Sequence, residues 1–286
     1  MLSLYFQVYY SGRLRTREAC SHQWTIIEAL GINIELVPKL RSLKIFGWLS
    51  CHKSSSLYEK AHIARLTASL RHLDFSLPEN AVGQDDSESR ELFWKEVVVR
   101  HMLKPAINLE SLTISEVWGE KQYLDISQSQ LTTYPRLAAL SLKAIVWEDG
   151  TIGQEGIVMP PPLEDFIVRH GKTLKILKLS GCSIHVIDHG RVPPLCYWAG
   201  IYNRLANALT ELVELEVRYE HTPYISYTDS PNEFVIPWPL YYLRRLEGMG
   251  RDEEVLEEFK AVVKKRAVDT DLDFDREAQG WSGWGE

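Results

Sequence analysis

Cysteine is scarce. Cys20, Cys51, Cys182 and Cys196 lie far apart in 286 residues, which excludes a dense disulfide framework, and no secretory signal accompanies them. Reduced thiols in the cytoplasm or nucleus, with no structural disulfide, are the expectation. Positive charge is in the minority, with 32 Lys and Arg against 39 Asp and Glu, a net charge of -7 and a pI of about 5.8. A broad phosphate-binding surface needs clustered cations, so no nucleic-acid partner is expected. Arg13, Arg15 and Arg17 come nearest to a basic cluster and read as a solvated segment. Long apolar runs are missing too. The start MLSLYFQVYY is too short to span a bilayer and has neither a charged region before it nor a small-residue cleavage site after it, so no membrane partner is expected. Catalytic signatures are lacking: Gly248 and Gly250 do not build G-x-G-x-x-G, and neither a P-loop nor a G-x-S-x-G elbow occurs. No enzyme activity and no cofactor are expected.

What the chain does have is a phrase, Leu-x-x-Leu-x-aliphatic or Phe, repeated about six times at intervals of roughly 28 to 39 residues. Its copies are Leu40, Leu43, Ile45; Leu70, Leu73, Phe75; Leu109, Leu112, Ile114; Leu137, Leu140, Leu142; Leu174, Leu177, Leu179; and Leu212, Leu215, Val217. The fifth continues as LKILKLSGCSI, with Cys182 where the leucine-rich-repeat consensus has Asn or Cys. The expected fold is an α/β leucine-rich-repeat solenoid, with parallel strands on the concave face and helices and loops outside. Helices are expected over 57–70, 88–102, 160–171, 198–209 and 253–268; prolines before Leu163 and Gly171 after His170 bracket the clearest of them. In the last, Val255, Phe259, Val262 and Val263 form a stripe expected to dock on the final repeat. The organisation is then an N-terminal segment over 1–37, either truncated or itself a first repeat, the solenoid over 38–220, a Pro/Tyr-rich loop and linker over 221–252, the helix over 253–268 and an acidic tail over 269–286. An array beginning with apolar residues and no polar cap reads as one whose own first unit is missing. The long intervals place extra residues in rim loops over 78–89, 147–162, 188–194 and 221–239.

Several groupings imitate metal or catalytic sites. Cys182, His185, His189 and Cys196 are zinc-ligand types within reach of one another, but the repeat already uses Cys182 in its turn and Ile184 in its core. Asp269, Asp271, Asp273 and Asp275 alternate as in a calcium loop, yet Phe274 stands where glycine is needed and Gly280 where glutamate is needed. Glu148, Asp149 and Glu155 offer carboxylates for acid and base work; Asp149 before Gly150 is more simply a turn. No metal site is expected.

Alternation along a strand turns the leucines inward and their neighbours outward. The outward pairs are Ser42 and Lys44, His72 and Asp74, Ser111 and Thr113, Ala139 and Ser141, Ile176 and Lys178, and Glu214 and Glu216. In that order the face is basic at its start, small and neutral in its middle and acidic at its end, which suits a protein partner of mixed charge.

The stretches SHQW (Ser21–Trp24), PKLRSLKIFGWLS (Pro38–Ser50), LRHLDFS (Leu70–Ser76), PRLAALSLKAIVWEDGT (Pro135–Thr151) and PPLEDFIVRHGKTL (Pro161–Leu174) resemble the leucine-rich region of fungal F-box proteins. The resemblance spans roughly Cys20 to Tyr219. It implies a substrate receptor of a ubiquitin ligase, whose repeats hold the target while an N-terminal F-box of three helices holds the ligase adaptor. No F-box-like segment precedes the first repeat, and LPEN at Leu77–Asn80 lies between repeats; a ligase adaptor is a partner only if an F-box exists upstream. The alternatives are a leucine-rich-repeat scaffold unconnected with ubiquitin, and a hydrolase or metal enzyme built around Glu148, Asp149, His185 and His189.

Overall fold

The computed structural model describes residues 2–5, 13–33, 40–46, 61–77, 93–116, 133–147, 151–152, 158–159, 162–185, 196–218, 224–226, 236–237 and 251–269. In chain order the elements are β1 (Leu2–Tyr5), α1 (Arg13–Ile32), β2 (Ser42–Phe46), α2 (Ala61–Ala68), β3 (His72–Leu77), a π-helix π1 (Phe93–Leu103), β4 (Ser111–Glu116), β5 (Ala139–Lys143), β6 (Val146–Trp147), β7 (Thr151–Ile152) and β8 (Val158–Met159). They continue with α3 (Pro162–Arg169), β9 (Ile176–Ser180), β10 (Ser183–His185), α4 (Trp198–Ala208), β11 (Glu214–Arg218), β12 (Tyr224–Ser226), β13 (Ile236–Pro237) and α5 (Asp252–Asp269). No described helix is long and apolar enough to cross a membrane.

The protein is α/β. Seven strands form one sheet in the order β1-β2-β3-β4-β5-β9-β11, every neighbouring pair parallel. Parallel neighbours require a crossover of about a dozen residues or more, and the intervals between leucine phrases supply it. The register sets Leu2, Leu43, Leu73, Leu112, Leu140, Leu177 and Leu215 in one column across the sheet. The next inward column is Leu4, Ile45, Phe75, Ile114, Leu142, Leu179 and Val217. These columns and the helices share one continuous apolar core. Leu215 and Val217 are only half-buried because β11 is an edge strand with one neighbour.

A second regularity appears where the strands begin. The N–H groups of Arg71 and His72 both donate to the Arg41 carbonyl, those of Glu110 and Ser111 to Arg71, and those of Ala138 and Ala139 to Glu110. The same pairing continues from Lys175 and Ile176 to Ala138, and from Val213 and Glu214 to Lys175. From β3 to β11 each strand of the sheet therefore satisfies its first backbone donors on the carbonyl of the strand before it. Two rungs also finish alike: Ala144 and Gly181 take positive φ, and their N–H groups donate to Ser180 and Arg218. Beyond these turns a smaller sheet, β13-β12-β10-β6, repeats the parallel order in β6, β10 and β12.

The helices pack in succession, α1 on α2, α2 on π1, α3 on α4 and α4 on α5. The five expected helices occur, with π1 in place of an α-helix over 88–102. Residues 1–37, expected to be either a truncated segment or a first repeat, hold β1 and α1, and β1 pairs with β2 in the phase of the later strands; Arg13, Arg15 and Arg17 fall on α1. Between β4 and β5, Tyr134 links the neighbouring helices: its hydroxyl donates to the Leu103 carbonyl at 2.9 Å and its N–H donates to His170 Nε2 at 3.0 Å. Helix α3 is tied to α4 by a two-pronged contact of the Arg204 guanidinium with Glu164, whose carboxyl burial pushes above its usual range against the pull of Arg204. Gly171 lets the ends of α3 and α4 approach, since a Cβ there would collide with the Ala208 carbonyl.

Helix α5 docks on α4, as its apolar stripe predicts, through Val255, Leu256, Phe259 and Val263. Val262 lies on the flank of that stripe and is exposed. Aromatic rings run from the small sheet into this contact: Trp147 meets Trp198 edge-on at 5.1 Å, Trp198 stacks on Tyr202 at 5.4 Å and Tyr202 faces Phe259 at 6.4 Å. Polar groups fix both ends. Asp252 accepts the Ala199 N–H at 2.7 Å and the Tyr224 hydroxyl at 2.5 Å, while the Tyr224 oxygen accepts the Trp198 N–H at 3.0 Å. Fourteen residues on, by the numbering, Arg266 donates to the carbonyls of Leu209 and Ala206 at 2.7 and 2.8 Å.

Candidate functional site

The twelve residues expected to point outward form two adjoining rows on the sheet face opposite the helices. Ser42, His72, Ser111, Ala139, Ile176 and Glu214 stand side by side in one row. Lys44, Asp74, Thr113, Ser141, Lys178 and Glu216 make the next, extended at its first end by Ser3. Alternation carried one step further along each strand adds a third row that the sequence reading missed: Ser76, Ser115, Lys143, Ser180 and Arg218. The signal for it is the same two-residue period, and what was lacking was where each strand ends.

The charges do not form the run from basic to acidic that their sequence order suggests. Lys44 Nζ lies 3.5 Å from Asp74 Oδ2 on the next strand. Lys178 Nζ is shared between Glu214 at 3.0 Å and Glu216 at 3.4 Å, and Arg218 contacts Glu216 as well. Lys44 and Asp74, and Lys178 and Glu216, stand directly opposite on neighbouring strands, and opposites of this kind contribute roughly 0.2 to 1 kcal/mol each. The face thus presents two largely neutralised clusters separated by Ser111, Thr113, Ala139 and Ser141. Burial pushes the Asp74 carboxyl up, against the attraction of Lys44. Burial lowers His72, against Glu110 and with help from Arg71, which favours the neutral ring.

No family model, curated protein or solved structure matches the chain.

The metal-like groupings stay apart from this face. Cys182 is a buried thiol in no disulfide whose Sγ donates to the Leu142 carbonyl of the preceding rung at 3.6 Å, and Ile184 is fully buried. Cys196 is a buried thiol in no disulfide beside α4, His185 falls in β10, and His189 lies outside the described residues. Glu148, Asp149, Glu155, the aspartates at 271, 273 and 275, and the rim loops over 78–89 and 188–194 also lie outside them. Among the described residues no three His, Cys, Asp or Glu side chains gather as metal ligands.

One cleft of about 300 Å³ opens at the start of α4, between Cys196, Asn203, Arg204, Arg251 and Val255. Arg204 is already held by Glu164, and at the start of the helix the Ala199 N–H is taken by Asp252 and the Trp198 N–H by the Tyr224 oxygen. That leaves the strand face as the larger ordered array of outward side chains, in which Ser42, Lys44, His72, Ser111, Ser141, Lys178, Glu214 and Glu216 are partly exposed while Asp74, Thr113, Ala139 and Ile176 are buried.

Proposed function

We propose that the chain is a leucine-rich-repeat solenoid acting as a non-catalytic protein-recognition module: the substrate-recognition region of an F-box type ubiquitin ligase receptor, in the cytoplasm or nucleus, with its target on the concave face. One observation carries the reading. Parallel strands in chain order, with the same backbone ladder recurring from β3 to β11, set the outward residues in continuous rows, and extended faces of this sort are the usual functional product of stacked repeats. Cys182 supports the repeat assignment, because its thiol bonds the neighbouring rung from the consensus Asn or Cys position. Sequence resemblance alone supports the ubiquitin connection.

The test compares the natural full-length product with a Ser141→Trp variant, which fills the middle of the face, by quantitative affinity capture from cells of origin. The expected result is a target recovered with the unaltered protein and lost with Ser141→Trp, with the ligase adaptor recovered by both, and with slower turnover of the target when the gene is removed. A target without adaptor or altered turnover would leave a scaffold instead. If no captured protein depends on Ser141, recognition on this face is wrong.

A further inference from the structure

Positive charge gathers on one rim of the sheet, although the chain as a whole carries a net charge of -7. The turns leading into the strands hold Arg41 before β2, Arg71 before β3, Lys104 before β4, Arg136 before β5, and Lys172 and Lys175 before β9. Lys175 is half-buried and the others are exposed. Acidic residues in the same turns are Glu110 and, before β11, Glu211. The ladder of strand starts sets these turns side by side. Two side chains reach along the rim from one turn to the next: the Arg41 guanidinium donates to the Ser69 carbonyl at 3.4 Å, and the Asn108 amide donates to the Ala68 carbonyl at 2.9 Å. Among the described residues only Arg71 of these cations is ion-paired, with Glu110 at 3.1 Å. Helix C-termini meet this rim with about half a negative charge each, which offsets part of the positive charge, and Arg266 already serves that of α4.

The chain carries a complement to this rim. Helix α5 runs beside α4 in the same direction, from Asp252 at the Ala199 N–H to Arg266 at the carbonyls of Ala206 and Leu209. It therefore finishes, at Asp269, near the turn before β11. That turn meets the next one, since the Glu211 N–H donates to the Gly171 carbonyl, beside Lys172. Beyond α5 the sequence places Asp271, Asp273, Asp275 and Glu277, which lie outside the described residues. At that spacing an extended backbone turns all four carboxylates to one side. The segment 270–277 can reach about 26 Å, and the steps from β11 through β9, β5 and β4 to β3 cover roughly 19 Å. We propose that residues 270–277 dock in extended form across this rim, over Lys172, Lys175, Arg136 and Lys104. The rim is then a surface for an acidic extended segment, separate from the strand face and independent of what that face binds.

Carbodiimide cross-linking of the full chain tests it, because the reagent joins carboxylates to amines in direct contact. In a mixture of isotope-labelled and unlabelled chain at low ionic strength, mass spectrometry should find the carboxylates of 271–277 joined to Lys104, Lys172 or Lys175 of the same chain. Those products should fall about threefold or more in salt of about 0.5 M, where the screening length shrinks to about 4 Å. Replacing Asp271, Asp273 and Asp275 by Asn alters none of the described residues, so a folding defect cannot imitate its effect. In that variant acetylation of Lys172 and Lys175 should quicken about twofold or more, while Lys44 and Lys178 on the strand face are unchanged. Links confined to Lys264 and Lys265 of α5, or spread over Lys44 and Lys178, would overturn the proposal, as would unchanged acetylation. Links found only between chains would overturn it too and make a second copy the occupant.

Discussion

Ala144 and Gly181 occupy the same place in successive rungs, just after β5 and β9, with φ of 55° and 62°. A side chain in this left-handed region costs roughly 1–2 kcal/mol, and the chain accepts that at Ala144 because its N–H bonds Ser180 in the next rung. Ala144→Gly should therefore stabilise the protein by about 0.5–1 kcal/mol, after allowing for the greater freedom of glycine in the unfolded chain. Gly181→Ala should destabilise it by about 1 kcal/mol. Urea midpoints of the two variants should move in opposite directions; a loss of stability in Ala144→Gly would contradict the strain argument. His170 is the other residue with a definite consequence. Its Nδ1 lies 2.7 Å from the Phe166 carbonyl and its Nε2 accepts the Tyr134 N–H, so the geometry assigns a neutral ring with its proton on Nδ1. Burial holds the ring below its usual value, opposed by the Phe166 carbonyl and reinforced by Arg169. Stability from this lowered pKa is complete above the unfolded value of about 6.5 and is lost as the pH falls below it, because the unfolded chain then takes a proton that the folded ring resists. His72 acts in the same sense. The raised carboxyls of Asp74, Glu164 and Asp252 act in the opposite one, favouring the fold as the pH falls through their folded values. A comparison that isolates His170 is needed: the stability advantage of the unaltered protein over His170→Gln should shrink between pH 7.5 and 5.5, and an advantage independent of pH would show that the ring is not held neutral.

At the scale of elements, α4 is held at both ends by α5. Asp252 places negative charge at the N-terminus of α4 and Arg266 places positive charge at its C-terminus, which matches the helix dipole at each end. Because Asp252 is buried, removing it leaves the Ala199 N–H and the Tyr224 hydroxyl without their acceptor. Asp252→Ala should cost about 2–3 kcal/mol, and Arg266→Ala, which is partly exposed, about 1 kcal/mol. Hydrogen exchange should quicken in α4 and α5 while β2 to β4 keep their protection; equal effects throughout would deny that the clamp acts locally. None of these three polar residues was legible from pattern, because Asp252, Tyr224 and Arg266 find their partners across 26 to 60 positions of sequence. The apolar side of α5 was legible from its period. Helix α1 was not, since its apolar residues make no clean stripe and Ile26 and Ile32 remain exposed. Strands β6, β10 and β12, two or three residues each, are too short for alternation to be read. The face of the sheet was legible in its first two rows because leucine phrases fix which residues point inward. Its charge pairs were not, because pairing depends on register between rungs.

For the whole molecule, a sheet that adds its strands in chain order means that each rung packs chiefly on the rung before and the rung after. Stability in such an array is approximately a sum of rung terms and nearest-neighbour terms. The leucine column tests this directly, since Leu112 in central β4 is buried and Leu215 in edge strand β11 is only half-buried. Leu112→Ala removes contacts to β3 and β5 together and should cost roughly 3–5 kcal/mol. Leu215→Ala touches one neighbouring strand and leaves a site that solvent or α5 can partly fill, so its cost should be no more than about half as large. Exchange protection should fall with Leu112→Ala in β3, β4 and β5 and change little in β1 and β11. With Leu215→Ala the fall should be confined to β11, β9 and α5. If both variants instead lower protection evenly over all seven strands, the sheet behaves as one all-or-none unit, and the rung-by-rung account of its stability is wrong.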